Sequence, residues 1–430
     1  MGGRSILQQM IGRQADEGRL LRRQVRGRCA RRSGVAVYVL AVTAVVLPAC
    51  AGADRAATSL EAPPEEWRLL DTVRIGSVDG PDALTRVGAL VALPGGGAWF
   101  TQPMEQIVRV VDVDGRLVRS VGRRGQGPGE FTAMGPLGLW RGSPDTIWVM
   151  DWMPRRLSLF TADGAFVRTV PMPDVSWAGH WRVDQPDVVG PDGVPLALAR
   201  YAPGVDNWED GFPILRFTLP EGEVLGEVAR VERTAAVQIR WRGDVVATGA
   251  HPMPDAPIVA YSPDGRFVAI VDRSTDRRGA GPEVRIAVLE ADGDTAWAKP
   301  IAYVPEPIPA AEADSIWGER IASFQRFAQV EGRLTADDAR QAYRASLPVP
   351  SHRPPVESVA MSSDGRLLLV WSAAPGRPRQ AWVIAPGGEL VALVEVPAGQ
   401  QVLAFEGHHV WAVEYDEMGV PVVVRYGVGR

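Results

Sequence analysis

"VRVVDVDGRLVRSV", residues 108–121, places an apolar strand, an Asp-Gly turn and a second strand within fourteen residues. Its eighth residue, Gly115, supplies the positive φ that a tight hairpin needs, and the aspartate before it suits the same turn. Four further segments align with it without gaps: "LSLFTADGAFVRTV" (157–170), "LRFTLPEGEVLGEV" (215–228), "IAVLEADGDTAWAK" (286–299) and "AWVIAPGGELVALV" (381–394). Each has glycine at the eighth place, at Gly164, Gly222, Gly293 and Gly388. A hairpin recurring along a chain is the signature of a repeat architecture.

A second hairpin type precedes the first. "YSPDGRFVAIVD" (261–272) and "MSSDGRLLLVWS" (361–372) again read strand, Asp-Gly, strand, with looser copies in "RGSPDTIWVMD" (141–151) and "LPGGGAWFTQ" (93–102). Each unit therefore holds four strands, a to d. The spacings of the turn glycines are 49, 58, 71 and 95 residues, so the units keep their order while the connections lengthen. The segment 402–427 supplies strands a, b and c of a last unit and then the chain stops. Its missing d strand is available at the other end, in "WRLLDTVRIG" (67–76). A unit completed by both termini closes a ring and leaves no open edge.

The stretch "GRRGQGPGEF" (122–131) is glycine-rich, but no helix pattern follows Gly129 and no Walker Lys-Ser/Thr is present. A phosphate loop needs both, because it presents helix amides to the phosphates. This loop instead links strand d of the first unit to strand a of the second, and Phe131 is expected to plug the gap between them. Together with "MDWMPRRLSLF" (150–160), it resembles the "G-x-G-P-G-E-F" link and the "D…R-[IL]-x-x-[FY]" phrase of bacterial six-bladed β-propellers related to the NHL-repeat family. The resemblance covers Trp67 to Arg430 and is weakest in the third unit. It implies an all-β, six-bladed β-propeller of four-stranded blades, closed by the N-terminal strand.

One segment breaks the β pattern. Within 312–348, Trp317, Ile321, Phe324 and Ala328 recur at helical spacing, and Thr335 followed by Asp338 reads as a capped start of a second helix. This predicts a helical insertion at about 304–355, between blades 4 and 5. It is either a cap over the channel mouth or a surface insertion.

The head reads differently from the body. Residues 1–49 carry nine arginines against Asp16 and Glu17, so the net −5 of the chain leaves about −12 for the rest. Such a surface repels nucleic acid. The basic run Arg22–Arg32, the apolar Val35–Leu47 and "LPAC" (47–50) resemble a lipoprotein signal, with Cys50 as the lipidated residue. Two alternatives stay open: soluble periplasmic or extracellular export after Ala53, and an uncleaved N-terminal membrane helix over Ser33–Ala53. The only two cysteines, Cys29 and Cys50, lie in the head, so the body is built without disulfides. The expected organisation is an N-terminal extension and signal at 1–50, a tether at 51–66 and the propeller at 67–430.

Chemistry is sparse. The five histidines fit no HExxH or zinc-finger spacing, and no GxSxG elbow occurs. No cofactor is expected, while bound calcium or zinc stays open. The b–c and d–a connections share one mouth of the channel, which collects Asp151, Trp152, Trp177, His180, Trp181, Asp206, Glu209, His251, Arg377, Arg379 and Glu414. On that loop-rich face, contacts to a ligand are assigned to Arg155, Arg156, Trp208, Arg240 and Trp241, because tryptophan stacks and arginine pairs with carboxylates. Alanine at Arg156 and Trp241 is expected to weaken binding and leave the melting temperature nearly unchanged. The expected function is binding a protein, peptide or carbohydrate at the cell envelope, with the membrane reached through the lipid anchor. The alternatives are a metal-dependent lactonase or lyase, as other six-bladed propellers host, and a structural part of an envelope assembly.

Overall fold

Apolar residues alternating with polar ones, cut every five to eight residues by glycine-bearing turns, leave the chain little choice but short antiparallel strands. A computed structural model describes residues 64–430, apart from 78, 81, 134, 143–144, 202–210, 233–236, 250–252, 275–280, 332–334 and 347–348. Everything described belongs to one unit, Ala62–Arg430. After β1 (Glu65–Ile75), a first sheet is formed by β2 (Leu90–Ala92), β3 (Ala98–Gln102), β4 (Ile107–Val111) and β5 (Leu117–Val121). A second follows in β6 (Gly138–Arg141), β7 (Thr146–Asp151), β8 (Arg156–Thr161) and β9 (Phe166–Pro171). Then come β10 (Val175–Trp177) and β11 (Trp181–Val183), which make a small sheet with β14 (Arg200–Tyr201). The third four-stranded sheet is β12 (Val188–Val189), β13 (Pro195–Leu198), β15 (Phe212–Phe217) and β16 (Val224–Val231).

A separate hairpin, β17 (Val237–Trp241) and β18 (Asp244–Gly249), precedes the fourth sheet. That sheet is β19 (Ile258–Tyr261), β20 (Phe267–Asp272), β21 (Glu283–Glu290) and β22 (Thr295–Ala302). Two helices follow, α1 (Ala310–Glu331) and α2 (Ala336–Ser346), the second capped by Thr335, whose Oγ1 accepts the Asp338 amide at 3.2 Å. The chain ends in β23 (Val356–Met361), β24 (Leu367–Trp371), β25 (Arg379–Ile384), β26 (Leu390–Val396), β27 (Gln401–Glu406), β28 (His409–Tyr415) and β29 (Pro421–Gly429).

These last seven strands join β1 in one eight-stranded sheet, ordered β23-β24-β25-β26-β1-β29-β28-β27. The N-terminal strand is the seam. Glu65–Trp67 pairs parallel with β26, then Arg68–Ile75 pairs antiparallel with β29, with an irregularity between Leu69 and Thr72. All five hairpin glycines of the 14-residue repeat adopt positive φ, from 75° at Gly222 to 102° at Gly293.

The sheets are arranged like a propeller. The leading strands touch their neighbours, β2 with β6, β6 with β12, β19 with β23, β23 with β27, and β27 with β2. Between the third and fourth sheets the a–b turns approach so closely that a Cβ on Gly265 would lie 2.8 Å from Gly190 Cα. The core is the set of seams between sheets. Trp99, Phe131 and Phe160 are fully buried between the first and second sheets, and Trp181 and Phe217 between the second and third. Trp411 and Phe100 occupy the seam where the last strands meet the first sheet.

Candidate functional site

An antiparallel meander puts its a–b and c–d turns at one end and its b–c turn and outgoing link at the other. The long connections 172–187, 232–257 and 303–355 are all links from a d strand to the next a strand. They therefore gather, with the b–c turns, on one loop face. Opposite it lie the tight glycine turns.

At the turn face the channel is crossed by a buried polar network. Arg141, at the end of β6, reaches the β23–β24 turn, where Nη2 donates to Ser363 Oγ at 2.5 Å. The Ser363 hydroxyl and amide both donate to Glu406 Oε2, at 2.8 and 2.9 Å. Arg141 N donates to Pro263 O at 3.2 Å, and Arg266 Nη2 to Ser363 O at 2.8 Å. This network braces the ring across its axis. Apart from it, Tyr261 at the end of β19 donates to Asp187 Oδ2, in the link before β12, at 3.1 Å; burial, then the Asp187 charge, push its hydroxyl well above the ordinary phenol range, so it acts as a neutral donor.

On the loop face, the residues singled out in the sequence divide into separate groups. Arg156 begins β8 beside Asp151, which ends β7 and has no exposed surface. The guanidinium donates to Asp151 Oδ2 at 3.2 Å from Nε and 3.1 Å from Nη2. It also reaches back into the glycine-rich link, giving hydrogen bonds to Gln126 O at 2.8 Å and Glu130 O at 2.7 Å. Asp151 accepts in addition from Thr132 N and from Thr132 Oγ1, the latter at 2.7 Å. Arg156 is thus a clamp between the second sheet and the link before it. This geometry opposes the expectation that its removal would leave stability unchanged, because a buried carboxylate would lose its cation.

Arg155, one residue earlier, adopts φ 49° in the b–c turn, pairs with Asp174 at 3.3 Å and donates to Pro173 O at 3.2 Å. Trp181 is core, 1% exposed, and the His180 ring lies 5.2 Å from it. Arg379 is likewise buried and held by Glu357 at 2.5 Å, by Pro397 O at 3.1 Å and by Gln400 O. Glu414 is engaged by Arg74 and by Gln400 Nε2.

Arg240 and Trp241 sit on β17, which docks against α2. Ile239, Trp317, Ala342 and Tyr343 form a small buried cluster there, with Trp241 packed on its edge. Trp317 and Tyr343 meet edge to face at 5.3 Å, and Ser346 Oγ accepts the Arg240 amide at 3.0 Å. Arg242 covers the outer side of Trp241 at 5.5 Å. The links before and after the fourth sheet therefore meet each other, which their sequences did not disclose. Trp208, with Asp206 and Glu209, and His251 lie outside the described residues, as does Cys50.

One concavity on this face was not anticipated. A cleft of about 610 Å³ opens between the end of β22 and the β24–β25 connection. Its walls carry Tyr303, Trp371, Trp382, Arg377, Glu306 and Arg353. The rings are contiguous: Tyr303 lies 6.1 Å from Trp371, and Trp371 lies 4.8 Å from Trp382. The Tyr303 hydroxyl is held above its ordinary range by desolvation, then by the Asp255 charge. Among the described residues, no three His, Cys, Asp or Glu side chains converge as a metal site. No helix among them is long and apolar enough to cross a membrane.

No protein-family model matches the chain, and no curated protein matches it. Among solved structures, the chain is similar to a member of the DUF4221 family from Bacteroides vulgatus, at 10% identity and a TM-score of 0.49, covering 85% of this chain and 99% of that one. It is similar to a calcium-binding protein, regucalcin, from Agrobacterium tumefaciens, at 13% identity and a TM-score of 0.37, covering 86% and 98%. A gluconolactonase from Xanthomonas campestris is similar at 12% identity and a TM-score of 0.38, covering 86% and 99%. At such identities and TM-scores these likenesses carry no argument about this chain, and its all-β, propeller-like arrangement rests on its own sheets.

Proposed function

We propose that the protein is a six-bladed propeller acting as a non-catalytic binding module at the cell envelope, tethered by a lipid on Cys50. The eight-stranded sheet reads as two blades sharing β1, which with the four separate four-stranded sheets makes six. The observation that carries the binding reading is the open aromatic cleft on the loop face, whose one carboxylate, Glu306, is paired with Arg353 at 3.4 Å rather than poised for proton transfer. Arg155, Arg240 and Trp241 are the proposed rim of that face, with Trp208 retained from the sequence. Arg156 supports it from beneath.

Two experiments test this reading. The purified chain is assayed for lactone hydrolysis with added calcium or zinc, and for saturable thermal stabilisation by panels of peptides, glycans and organic acids. Stabilisation without metal-dependent turnover is the expected result, and metal-dependent turnover overturns it in favour of the lactonase. For the anchor, Cys50→Ser is expected to release the protein from membrane fractions; a variant that stays bound and unprocessed points to a spanning helix.

A further inference from the structure

We propose that the cleft between β22 and the β24–β25 connection binds a carboxylate carried on an apolar, ring-sized body, with Arg377 receiving the carboxylate and Tyr303, Trp371 and Trp382 enclosing the body. This rests on the binding-module reading above and gives it a ligand class. The cleft's volume, about 610 Å³, is that of a small-molecule site. Its three rings are tilted by 43° and 59° to one another, so they form a stepped wall around a compact group rather than one flat platform.

The polar groups of the lining decide the ligand's chemistry. Glu306 and Arg353 hold each other, and Arg353 is held further by Glu312. Gln380 Oε1 accepts the Trp382 indole N–H at 3.1 Å. Arg377 is the charged side chain of the lining that has no hydrogen-bond or ion-pair partner among the described residues, and it is exposed. Beside Arg377, the lining leaves the buried Trp371 indole N–H without a partner among the described residues. One planar cation and one N–H beside aromatic surface suit an apolar carboxylate better than a sugar, which needs donors and acceptors around its whole ring.

The backbone that carries the cation is held in place. Arg377 N donates to Ala374 O at 3.1 Å, closing a turn in which Gly376 takes φ 77°. Pro375 is the second residue of that turn and Pro378 follows it, and Pro354 and Pro355 stiffen the opposite wall. Ordering on binding is then confined to side chains, that of Arg377 above all.

A free aromatic acid and a peptide C-terminus present the same groups, and four probes separate them: 2-naphthoate and 2-naphthamide, and N-acetyl-Gly-Trp with a free or an amidated end. Binding to the purified full chain is read by tryptophan fluorescence and calorimetry. The expected result is saturable binding of a carboxylate at least about tenfold tighter than its amide. Arg377→Gln should abolish that preference while leaving the amide's affinity and the melting curve as they were. Trp382→Leu should weaken acid and amide alike. Tighter binding of naphthoate identifies a free acid as the source, and of the peptide acid a C-terminus. The proposal is overturned if neither acid saturates by about 5 mM, if acid and amide bind equally, if Arg377→Gln leaves the preference intact, or if glycans alone bind. Where the acids fail but another ligand stabilises the protein saturably, the binding-module reading stands without this site.

Discussion

Replacing Arg156 with alanine removes the cation from a carboxylate with no exposed surface. Asp151 then keeps only Thr132, whose amide lies 3.2 Å from Oδ2 and whose hydroxyl lies 2.7 Å from Oδ1. Breaking a buried pair from one side costs roughly 3–5 kcal/mol, because the remaining charge stays desolvated. The Arg156 side chain is 15% exposed, so water reaches the gap and the lower half of that range applies. The carbonyls of Gln126 and Glu130 regain water and add little. For a folded unit of this size, an unfolding entropy near 2.1 cal/mol/K per residue gives about 0.8 kcal/mol per degree, hence a drop of about 4–5 °C. Asp151→Asn with Arg156→Leu removes both charges and keeps an acceptor for Thr132, so it should lose clearly less than the sum of the single changes. Thermal melts at pH 7 followed by circular dichroism read five proteins: the parent, Arg156→Ala, Asp151→Asn, Arg156→Leu and the double variant. A single alanine variant melting within about 1 °C of the parent, or a double variant losing the full sum, refutes the clamp.

Gly122→Ala should destabilise more sharply, since Gly122 has φ 80° and a Cβ there would overlap the buried Phe131 ring; a melt matching the parent would show that the seam yields. Trp241→Ala should detach β17 from the helices with little change in the ring's melting temperature, read as faster proteolysis within α1 and α2; unchanged cleavage rates count against the satellite core. Glu130 is held below the usual carboxylate range, first by the Gly127 amide and then by Arg123. Its contribution is therefore present above the unfolded value near 4.3 and is lost as pH falls through the lower folded one. Denaturation midpoints of Glu130→Gln and parent should differ at pH 7 and converge only as pH falls through the lowered folded value; a constant gap removes ionisation as the cause.

The hairpins were legible because their turns demand a backbone that glycine adopts most easily, so Gly115, Gly164, Gly222, Gly293 and Gly388 mark them in the sequence itself. Closure by residues 67–76 was legible because an odd strand must find an edge. The role of Arg156 was not, since an Asp and an Arg at strand ends look alike whether they grip a ligand or two carbonyls. The cleft was hidden for another reason. Tyr303, Trp371 and Trp382 come from three elements, and alternation tells which side a residue faces but not how wide the gap beside it stays. The hairpin at 237–249 was missed because its partners, in α2, lie about a hundred residues away: Arg240 bonds Ser346 across 106 positions.

The strand that completes the ring is the first one made. Trp67 faces Val394 and Arg68 faces Gly429, separations of 327 and 361 residues along the chain. Contacts so distant set a slow last step in folding, since the intervening sheets must be in place before the strand has an address. Until then β26 and β29 both present open edges, and both accept the same strand from any copy of the chain. Whether the ring shuts on itself or trades its first strand with a neighbour is then a matter of concentration during refolding. Dilution favours the single closed ring, and crowded refolding yields exchanged pairs with the same sheets and the same seams.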